Sequence, residues 1–247
     1  MQQKNKKRID LLIQEQRPDL SRSLIQAWIK QGLVSVAGSV VSKPAMLVDE
    51  DVVITLQRQK PQYVSRSGAK LEQALQEFQI DVTGLVALDV GLSTGGFTDC
   101  LLQHGIAQVF GVDVGTGQVH PTIAANEKVV VMEQTDIRDC VGKVPPVDII
   151  VVDVSFISVT KFTAILAKLL KPAGALIILI KPQFEGEPAD LARGGIVKND
   201  ATRNRIVQHV LDTLQHHGFV LQNSIECTTV GGDGNIEYLA YCTKGSV

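Results

Sequence analysis

The sequence lacks the features that mark membrane-spanning, secreted or disulfide-stapled proteins. Its longest purely apolar run, residues 175–180, is far shorter than the roughly 20 residues that cross a bilayer as a helix. The stretch after the basic residues 1–8 is interrupted by polar side chains, unlike a signal peptide, so we expect a cytoplasmic protein with no membrane partner. The four cysteines form no Cys-x-x-Cys pair, and we interpret the five histidines as supplying neither a His-x-x-x-His pair nor a Cys/His ligand spacing. The sequence therefore predicts reduced core thiols and no metal site.

Charge is distributed unevenly along the chain. Residues 1–66 contain 11 Lys and Arg against 6 Asp and Glu, whereas residues 67–247 contain 13 against 20. Phosphate contacts supply most non-specific affinity for nucleic acids, so a basic appendage on an acidic enzyme is typical of a polyanion-binding module. A solvated basic surface explains the charge equally well, and composition alone leaves both interpretations open.

Residues 1–58 have the pattern of a small α+β domain. Apolar residues at helical spacing predict two helices, the second of them capped by Ser21, and short strands follow. The predicted strands cover residues 33–37, 40–44 and 52–56. The polar, basic segment around residues 59–64 is interpreted as a linker to a second domain.

Residues 65–247 alternate between helices and apolar strands. Five strands are almost continuously apolar, which predicts a mostly parallel sheet covered by helices on both faces. These strands cover residues 85–90, 107–112, 129–132, 148–153 and 175–180. Residues 219–227 and 236–242, joined by the glycine-rich turn 231–235, predict an antiparallel strand at the C-terminal end of the sheet. The predicted fold class is α/β and Rossmann-like.

The first of these strands leads into a glycine-rich turn and then directly into a helix. Glycines in this turn let the backbone pass close to a ligand, and Asp113, at the end of the next strand, is placed to bind ribose hydroxyls. The turn Gly-Leu-Ser-Thr-Gly-Gly differs from the Gly-x-Gly-x-x-Gly of NAD sites, and Asp136 is placed to bond an adenine amino group. We therefore predict S-adenosylmethionine as the cofactor. The candidate cofactor-binding residues are Asp89, Gly91, Ser93, Thr94, Gly95, Gly96, Phe97, Asp113, Val114 and Asp136.

Motifs along almost the whole chain resemble the TlyA family. The matching segments are residues 65–71, 89–100, 112–118, 151–158, 180–185 and 234–238. Within residues 7–58, Arg-Ile-Asp-x-x-Leu and Ser-Arg-Ser resemble the ribosomal-protein S-four type RNA-binding module. The resemblance implies that module joined to an FtsJ-like class I methyltransferase domain, which methylates the 2'-hydroxyl of cytidine in ribosomal RNA. Ser67 and Leu92 depart from the Gly and Ala that are usual in the family.

The resemblance also implies a set of catalytic residues. Lys70, Asp153, Lys181 and Glu237 match the Lys-Asp-Lys-Glu tetrad of ribose methyltransferases. Lys181 would act on the ribose hydroxyl, either as a neutral amine that accepts the proton or as an ammonium that stabilises the developing alkoxide. The two carboxylates would orient the lysines, and Lys70 would steer the ribose or a phosphate.

The predicted partner is ribosomal RNA, free or within ribosomal subunits. The candidate RNA contacts, each of which surface solubility would also explain, are Arg8, Arg22, Lys30 and Arg66. Phe156 and Phe184 could stack a flipped base or pack in the core. Two rival functions remain open at this point: a membrane-active haemolysin, because some family members carry that description, and a non-catalytic RNA-binding protein with a methyltransferase fold.

Overall fold

The chain divides into two compact units. Contacts cluster within Met1–Lys60 and within Pro61–Val247. The computed structural model describes residues 6–30, 32–56, 62–192, 194–229 and 234–245. Parts of the linker predicted at 59–64 and of the turn predicted at 231–235 lie outside the described residues.

The first unit contains two helices and short antiparallel strands. Its elements are β1 (Lys6–Arg8), α1 (Ile9–Gln16), α2 (Arg22–Lys30), β2 (Val34–Val36), β3 (Ser39–Val40), β4 (Leu47–Asp49) and β5 (Ile54–Leu56). Strand β2 lies between β3 and β5, and β1 pairs with β4. The helices bury Ile9, Ile13, Ile25 and Ile29 against each other and the strands. The Ser21 hydroxyl accepts a hydrogen bond from the backbone N–H of Leu24, which confirms the predicted N-cap of α2.

Two details of this unit differ from the sequence-based expectation. Strands β1 and β4 were not predicted, because a charged three-residue segment such as Lys6–Arg8 carries no alternating apolar pattern. Strand β3 is shorter than the predicted segment 40–44. The backbone N–H of Met46 bonds to the carbonyl of Lys43, so a turn takes the place of the strand's last residues.

The second unit is built around one seven-stranded sheet. Its elements are α3 (Ser67–Glu77), β6 (Val86–Val90), α4 (Gly96–Gln103), β7 (Gln108–Val112), α5 (Pro121–Ala124), β8 (Val129–Met132), β9 (Val147–Val152), α6 (Thr163–Leu169), β10 (Leu170–Ile180), α7 (Pro182–Glu185), α8 (Asp200–His216), β11 (Phe219–Glu226) and β12 (Tyr238–Lys244). The strand order is β11-β12-β10-β9-β6-β7-β8, with β12 antiparallel to both of its neighbours. The predicted mostly parallel sheet with an antiparallel C-terminal strand is confirmed.

Both faces of the sheet are buried. In β9, Ile149 and Val151 pack with residues of α3 and α4, whereas Ile150 and Val152 pack with residues of α6 and α8. All four side chains are fully buried. Because successive residues of a strand point to opposite faces, a sheet with helices on both faces needs apolar residues at every position. This requirement explains the continuous apolar strands in the sequence.

The strand order reverses at β6, and this reversal positions the site. Strand β7 pairs with one edge of β6 and β9 with the other. Loops that leave the carboxyl ends of two such strands diverge to opposite faces of the sheet, and the crevice between them is where open α/β sheets bind ligands. We therefore expect a ligand-binding site at the residues that follow β6 and β9, beginning at Gly91 and Asp153.

Candidate active site

Two cavities open beside the carboxyl ends of β6 and β9. The larger has a volume of about 780 Å³ and the smaller a volume of about 280 Å³. Their common wall is formed by Gly91, Ser93, Asp153 and Ser155. A ligand in one cavity would therefore lie next to a ligand in the other, which is the arrangement a group-transfer reaction requires.

The turn after β6 lies directly against the end of β9. Gly91 has a φ of +89°, and a Cβ atom at this position would lie 2.4 Å from the carbonyl oxygen of Asp153. A Cβ atom on Gly96 would lie about 2.1 Å from the Ser67 hydroxyl and 2.2 Å from that of Ser65. Side chains are thus excluded at both glycines, because the neighbouring segments occupy the space.

Asp113 holds the loops that line the large cavity. Its carboxylate accepts hydrogen bonds from the backbone N–H groups of Ser93 and Gly115, each at 2.7 Å. A carboxylate has about four acceptor positions, so two remain for the hydroxyls of a ribose. Asp113 lines the cavity at the end of β7, where an acid of this role is expected.

Asp136 lines the same cavity with a charged carboxylate. Hydrogen bonds from the guanidinium and backbone N–H of Arg138 lower the pKa of Asp136 to about 2. The Arg138 Nη2 atom lies 2.6 Å from Asp136 Oδ2. The carboxylate is therefore an acceptor at every physiological pH, as a bond from an adenine amino group would require.

Two lysine–carboxylate pairs lie at the small cavity. Lys181 Nζ lies 2.6 Å from Asp153 Oδ1 and donates a hydrogen bond to Ser155 Oγ at 2.9 Å. Lys70 Nζ donates to Glu237 Oε2 at 2.5 Å. Each lysine side chain is only 11% exposed, and buried charges persist only when they are paired. Each carboxylate therefore holds its lysine in position.

Asp89 is completely buried beneath the glycine-rich turn. Burial raises the pKa of Asp89 to about 7, against the effect of the hydrogen bond that Thr98 Oγ1 donates to Oδ2 at 2.7 Å, and the nearby charge of Asp153 raises it further. Within the described ranges of the chain, Oδ1 has no hydrogen-bond partner. Asp89 thus ties the end of β6 to α4 from below.

The structure brings most of the predicted site residues to the two cavities. The small cavity is lined by Arg66, Lys70, Thr94, Phe97 and Lys181 besides the common wall, and the large cavity by Asp113, Val114 and Asp136. Asp89, Gly95, Gly96 and Glu237 lie behind these linings. Sequence reasoning missed Ser155 and Arg138, although Ser155 falls within the quoted segment 151–158. Its contact with Lys181 depends on how β9 and β10 pair.

A pair of aromatic side chains, one exposed and one half-buried, lies at the large cavity. Phe156 lines this cavity, is 90% exposed and has a φ of +65°, a strained value for an aromatic residue. Its ring centroid lies 4.9 Å from that of the half-buried Phe184. The alternative that Phe156 packs in the core is therefore wrong.

In the first unit, a buried aspartate binds the side chains of two residues that are predicted to contact RNA. Asp10 is fully buried and accepts hydrogen bonds from Arg8, Arg22 and Gln26 at 2.8 to 3.2 Å. Although burial acts to raise its pKa, these bonds outweigh burial and lower the pKa of Asp10 to about 2. The arginine side chains remain 41% and 46% exposed. Lys30, in the last turn of α2, is exposed.

The fold and the paired cavities define a Rossmann-like methyltransferase class, and the comparisons with known proteins agree. Residues 63–244 match the FtsJ-like methyltransferase family, and residues 7–54 match the S4 domain. The chain belongs to the FtsJ-like methyltransferase family, as the sequence motifs predicted. None of the helices formed by the described residues is long and apolar enough to cross a membrane.

The individual relatives carry two kinds of name. Hemolysin A of Brachyspira hyodysenteriae is 40% identical over 240 residues, which cover 95% of this chain and 98% of that protein. The 16S/23S rRNA (cytidine-2'-O)-methyltransferase TlyA of Mycobacterium tuberculosis is 35% identical, covering 91% of this chain and 86% of its own length. A solved structure described as a hemolysin from Streptococcus thermophilus is 33% identical with a TM-score of 0.74, covering 99% of this chain and 90% of that one.

Replacing Asp89 by Asn tests the raised pKa of this buried carboxyl. Because its pKa is higher in the folded than in the unfolded chain, Asp89 destabilises the wild type progressively as pH rises from about 4 to 7, by up to about 4 kcal/mol. The amide of Asp89→Asn carries no such penalty. Urea unfolding should show the variant gaining stability relative to wild type over this pH range. A difference that is constant with pH would contradict the assignment.

Replacing Gly91 by Ala tests the close approach of the β6 turn to β9. The new methyl group would meet the backbone carbonyl of Asp153 and the residue would keep a positive φ, so we expect a loss of about 2 to 4 kcal/mol in unfolding free energy. Gly142 also has a positive φ, +84°, but open space at its Cβ position, so Gly142→Ala should cost only about 1 kcal/mol. Equal losses in urea melts would refute the role of the close approach.

Proposed function

We propose that this chain transfers a methyl group from S-adenosylmethionine to the 2'-hydroxyl of a cytidine ribose in ribosomal RNA. The observation that carries the proposal is the pair of buried lysine–carboxylate contacts beside the wall that the two cavities share. The rRNA (cytidine-2'-O)-methyltransferase name of the Mycobacterium tuberculosis relative supports the choice of nucleotide and acceptor.

The large cavity suits the cofactor. Its volume of about 780 Å³ falls within the range of sites that bury small ligands. Asp113 would hold the ribose hydroxyls and Asp136 the adenine amino group, while Gly91 and Ser93 would face the methionine end near the common wall. S-adenosylmethionine, when bound, supplies a methyl group activated on a sulfonium. Because Gly91 has no side chain, the turn lies directly against the carbonyl of Asp153 at this end of the cavity.

Lys181 is the residue we assign to the ribose hydroxyl. Its Nζ donates a hydrogen bond to Ser155 Oγ and lies beside Asp153 Oδ1, so this nitrogen acts as a donor in the observed geometry. An ammonium held in this way would donate to the 2'-oxygen and stabilise the negative charge that develops as the hydroxyl loses its proton. The adjacent carboxylate of Asp153 favours this role over that of a neutral amine, because a neighbouring negative charge stabilises the ammonium.

Lys70 and Arg66 are assigned to substrate positioning. Lys70 lines the small cavity while Glu237, behind the lining, fixes its ammonium group. Arg66 is exposed at the same cavity, four residues earlier in the chain. A lysine and an arginine on one side of a narrow cavity favour a phosphate beside the reacting ribose. The exposed ring of Phe156 offers a stacking surface for an unpaired base.

The first unit would supply affinity for the RNA. Arg8 and Arg22 each use part of their guanidinium group to bind Asp10, and their remaining N–H groups are free to bind phosphates from a fixed position. Such pre-positioning lowers the entropy lost when RNA binds. A ribosomal RNA substrate is also consistent with the predicted cytoplasmic location.

Replacing Lys181 by Ala tests the proposed catalysis. With tritiated S-adenosylmethionine and ribosomal subunits, wild type should label the RNA, and nuclease digestion should yield 2'-O-methylcytidine. Lys181→Ala should lower the transfer rate by about 10²–10³-fold, because one donor to the developing charge is lost. Cofactor affinity, measured by calorimetry, should change little, because Lys181 lines only the small cavity.

Lys143→Ala is the matched control, because this lysine is exposed and lines neither cavity. It should retain wild-type transfer. Label on protein or lipid would contradict the proposal, as would leakage of cofactor-free liposomes, which would favour the haemolysin. RNA binding without any calorimetric response to S-adenosylmethionine would favour the non-catalytic alternative.

Replacing Arg22 by Ala tests the proposed RNA contact. Binding of an rRNA fragment should weaken about tenfold, and the slope of log K against log salt concentration should fall by about 1, as one phosphate contact is lost. Arg17→Ala is the control, because this arginine is paired with Asp19 away from the Asp10 cluster. If both variants weaken binding equally, net charge rather than the Asp10 cluster determines affinity.

A further inference from the structure

Away from the two cavities, three side chains of metal-binding type converge between α3 and α4. Glu72, on α3, faces Cys100, on α4, and His104, the residue at the C-terminal cap of α4. One ligand atom from each lies within 4.8 Å of the others, and no second group of this kind occurs among the residues that the structure describes. We propose that Glu72, Cys100 and His104 form a zinc-binding site that joins α3 to α4.

The two helices present these side chains in a fixed arrangement. Cys100 and His104 are four residues apart, and the backbone N–H of His104 bonds to the carbonyl of Cys100, so the two side chains lie on the same side of the C-terminal end of α4. His104 Nδ1 lies 2.8 Å from the carbonyl oxygen of Cys100, which can only accept, so Nδ1 carries the hydrogen. This bond leaves Nε2 unprotonated toward Glu72 in the neutral ring. Metal-binding histidines are oriented by the same type of bond from their other nitrogen.

The distances from the Glu72 carboxylate to the other two ligand atoms are close to those around a tetrahedral ion. His104 Nε2 lies 3.3 Å from Glu72 Oε2, and Cys100 Sγ lies 3.9 Å from the same oxygen. For tetrahedral zinc with bonds of about 2.0 to 2.3 Å, neighbouring ligand atoms are separated by roughly 3.3 to 3.6 Å. The carboxylate and imidazole are already at this separation, and the thiol needs a shift of a few tenths of an ångström.

The charges of the site also balance. A thiolate and a carboxylate together neutralise Zn²⁺, and the imidazole binds as a neutral ligand. Zinc binding replaces the thiol proton by a sulfur–zinc bond, and the proton passes to the solvent. Partial exposure of His104 and Glu72, 35% and 18%, lets the ion enter and lets water supply a fourth ligand.

Zinc at this position would stabilise the framework of the active site. Helix α3 carries Lys70, and α4 begins at the glycine-rich turn, so an ion between Glu72 and Cys100 would fix two site-bearing elements relative to each other. Tyr63, whose hydroxyl donates to the same oxygen of Glu72, Oε2, would help to orient the carboxylate. The proposal replaces the sequence-based expectation of no metal, which found no Cys/His ligand spacing and so missed the pair Cys100 and His104. It does not depend on the reaction that the enzyme performs.

Titration of the full, chelator-treated chain with Co²⁺ tests the site. We expect one equivalent to bind, with thiolate-to-cobalt charge-transfer absorption and the intense visible bands of a tetrahedral ion, and Zn²⁺ should displace it. Zinc at a free concentration a hundredfold above its Kd should raise Tm by about 5–10 °C. No stoichiometric binding, or bound cobalt without thiolate absorption, would overturn the proposal.

Four variants locate the ion. Cys100→Ser should abolish the charge-transfer band, and His104→Gln and Glu72→Gln should each weaken binding at least tenfold. Cys242→Ser is the matched control, because this thiol is equally buried but lies in the apolar core under the opposite face of the sheet. It should bind cobalt as wild type does. Should Cys100→Ser fail to fold, the partly exposed His104 and Glu72 variants decide. Binding that survives in both of them would show that the ion lies elsewhere.

Discussion

The close approach of the β6 turn to the end of β9 is the constraint on which the rest of the second unit depends. Gly91 lies against the carbonyl of Asp153, with no room for a side chain between them. This contact forms the common wall, so it keeps two cavities separate and yet adjacent. A larger residue would push the strands' ends apart, and the two cavities would no longer meet at a shared set of atoms. The reversal of strand order at β6 creates the crevice, and Gly91 lets the β6 turn lie close enough to β9 for the two cavities to share a wall.

The same physical rule organises the charged groups of both units. A buried charge must be paired, and the pairing fixes the position of the group that remains reachable. In the second unit, Asp153 and Glu237 hold Lys181 and Lys70 at the small cavity. In the first unit, the buried Asp10 holds Arg8 and Arg22 at the surface. An acid thus holds basic groups in position in each unit.

Particular residues show how far the sequence could be read. The strands of the sheet were predicted from their continuous apolar residues, because burial on both faces requires an apolar residue at each position. The antiparallel β12 was predicted from the glycine-rich turn that precedes it. The site motifs followed from their resemblance to a family, and the family match confirmed that resemblance. The short strands β1 and β4 did not follow, because their pairing depends on a partner in space and not on their own residues. The Glu72–Cys100–His104 group was overlooked for a similar reason, since one of its members lies on another helix.

The sequence by itself determined the fold class, the presence of two domain types and the identity of the residues at the strand ends. These are local properties, because each depends on residues that lie close together in the sequence. Only the tertiary structure decided which charged groups pair. Lys70 and Glu237 are 167 positions apart, and they meet because α3 packs beside the sheet near the start of β12. Only the tertiary structure decided, too, that Ser155 receives a bond from Lys181 and that Phe156 faces solvent. Such contacts depend on strand order and helix packing, which place distant segments together through the burial of the whole core.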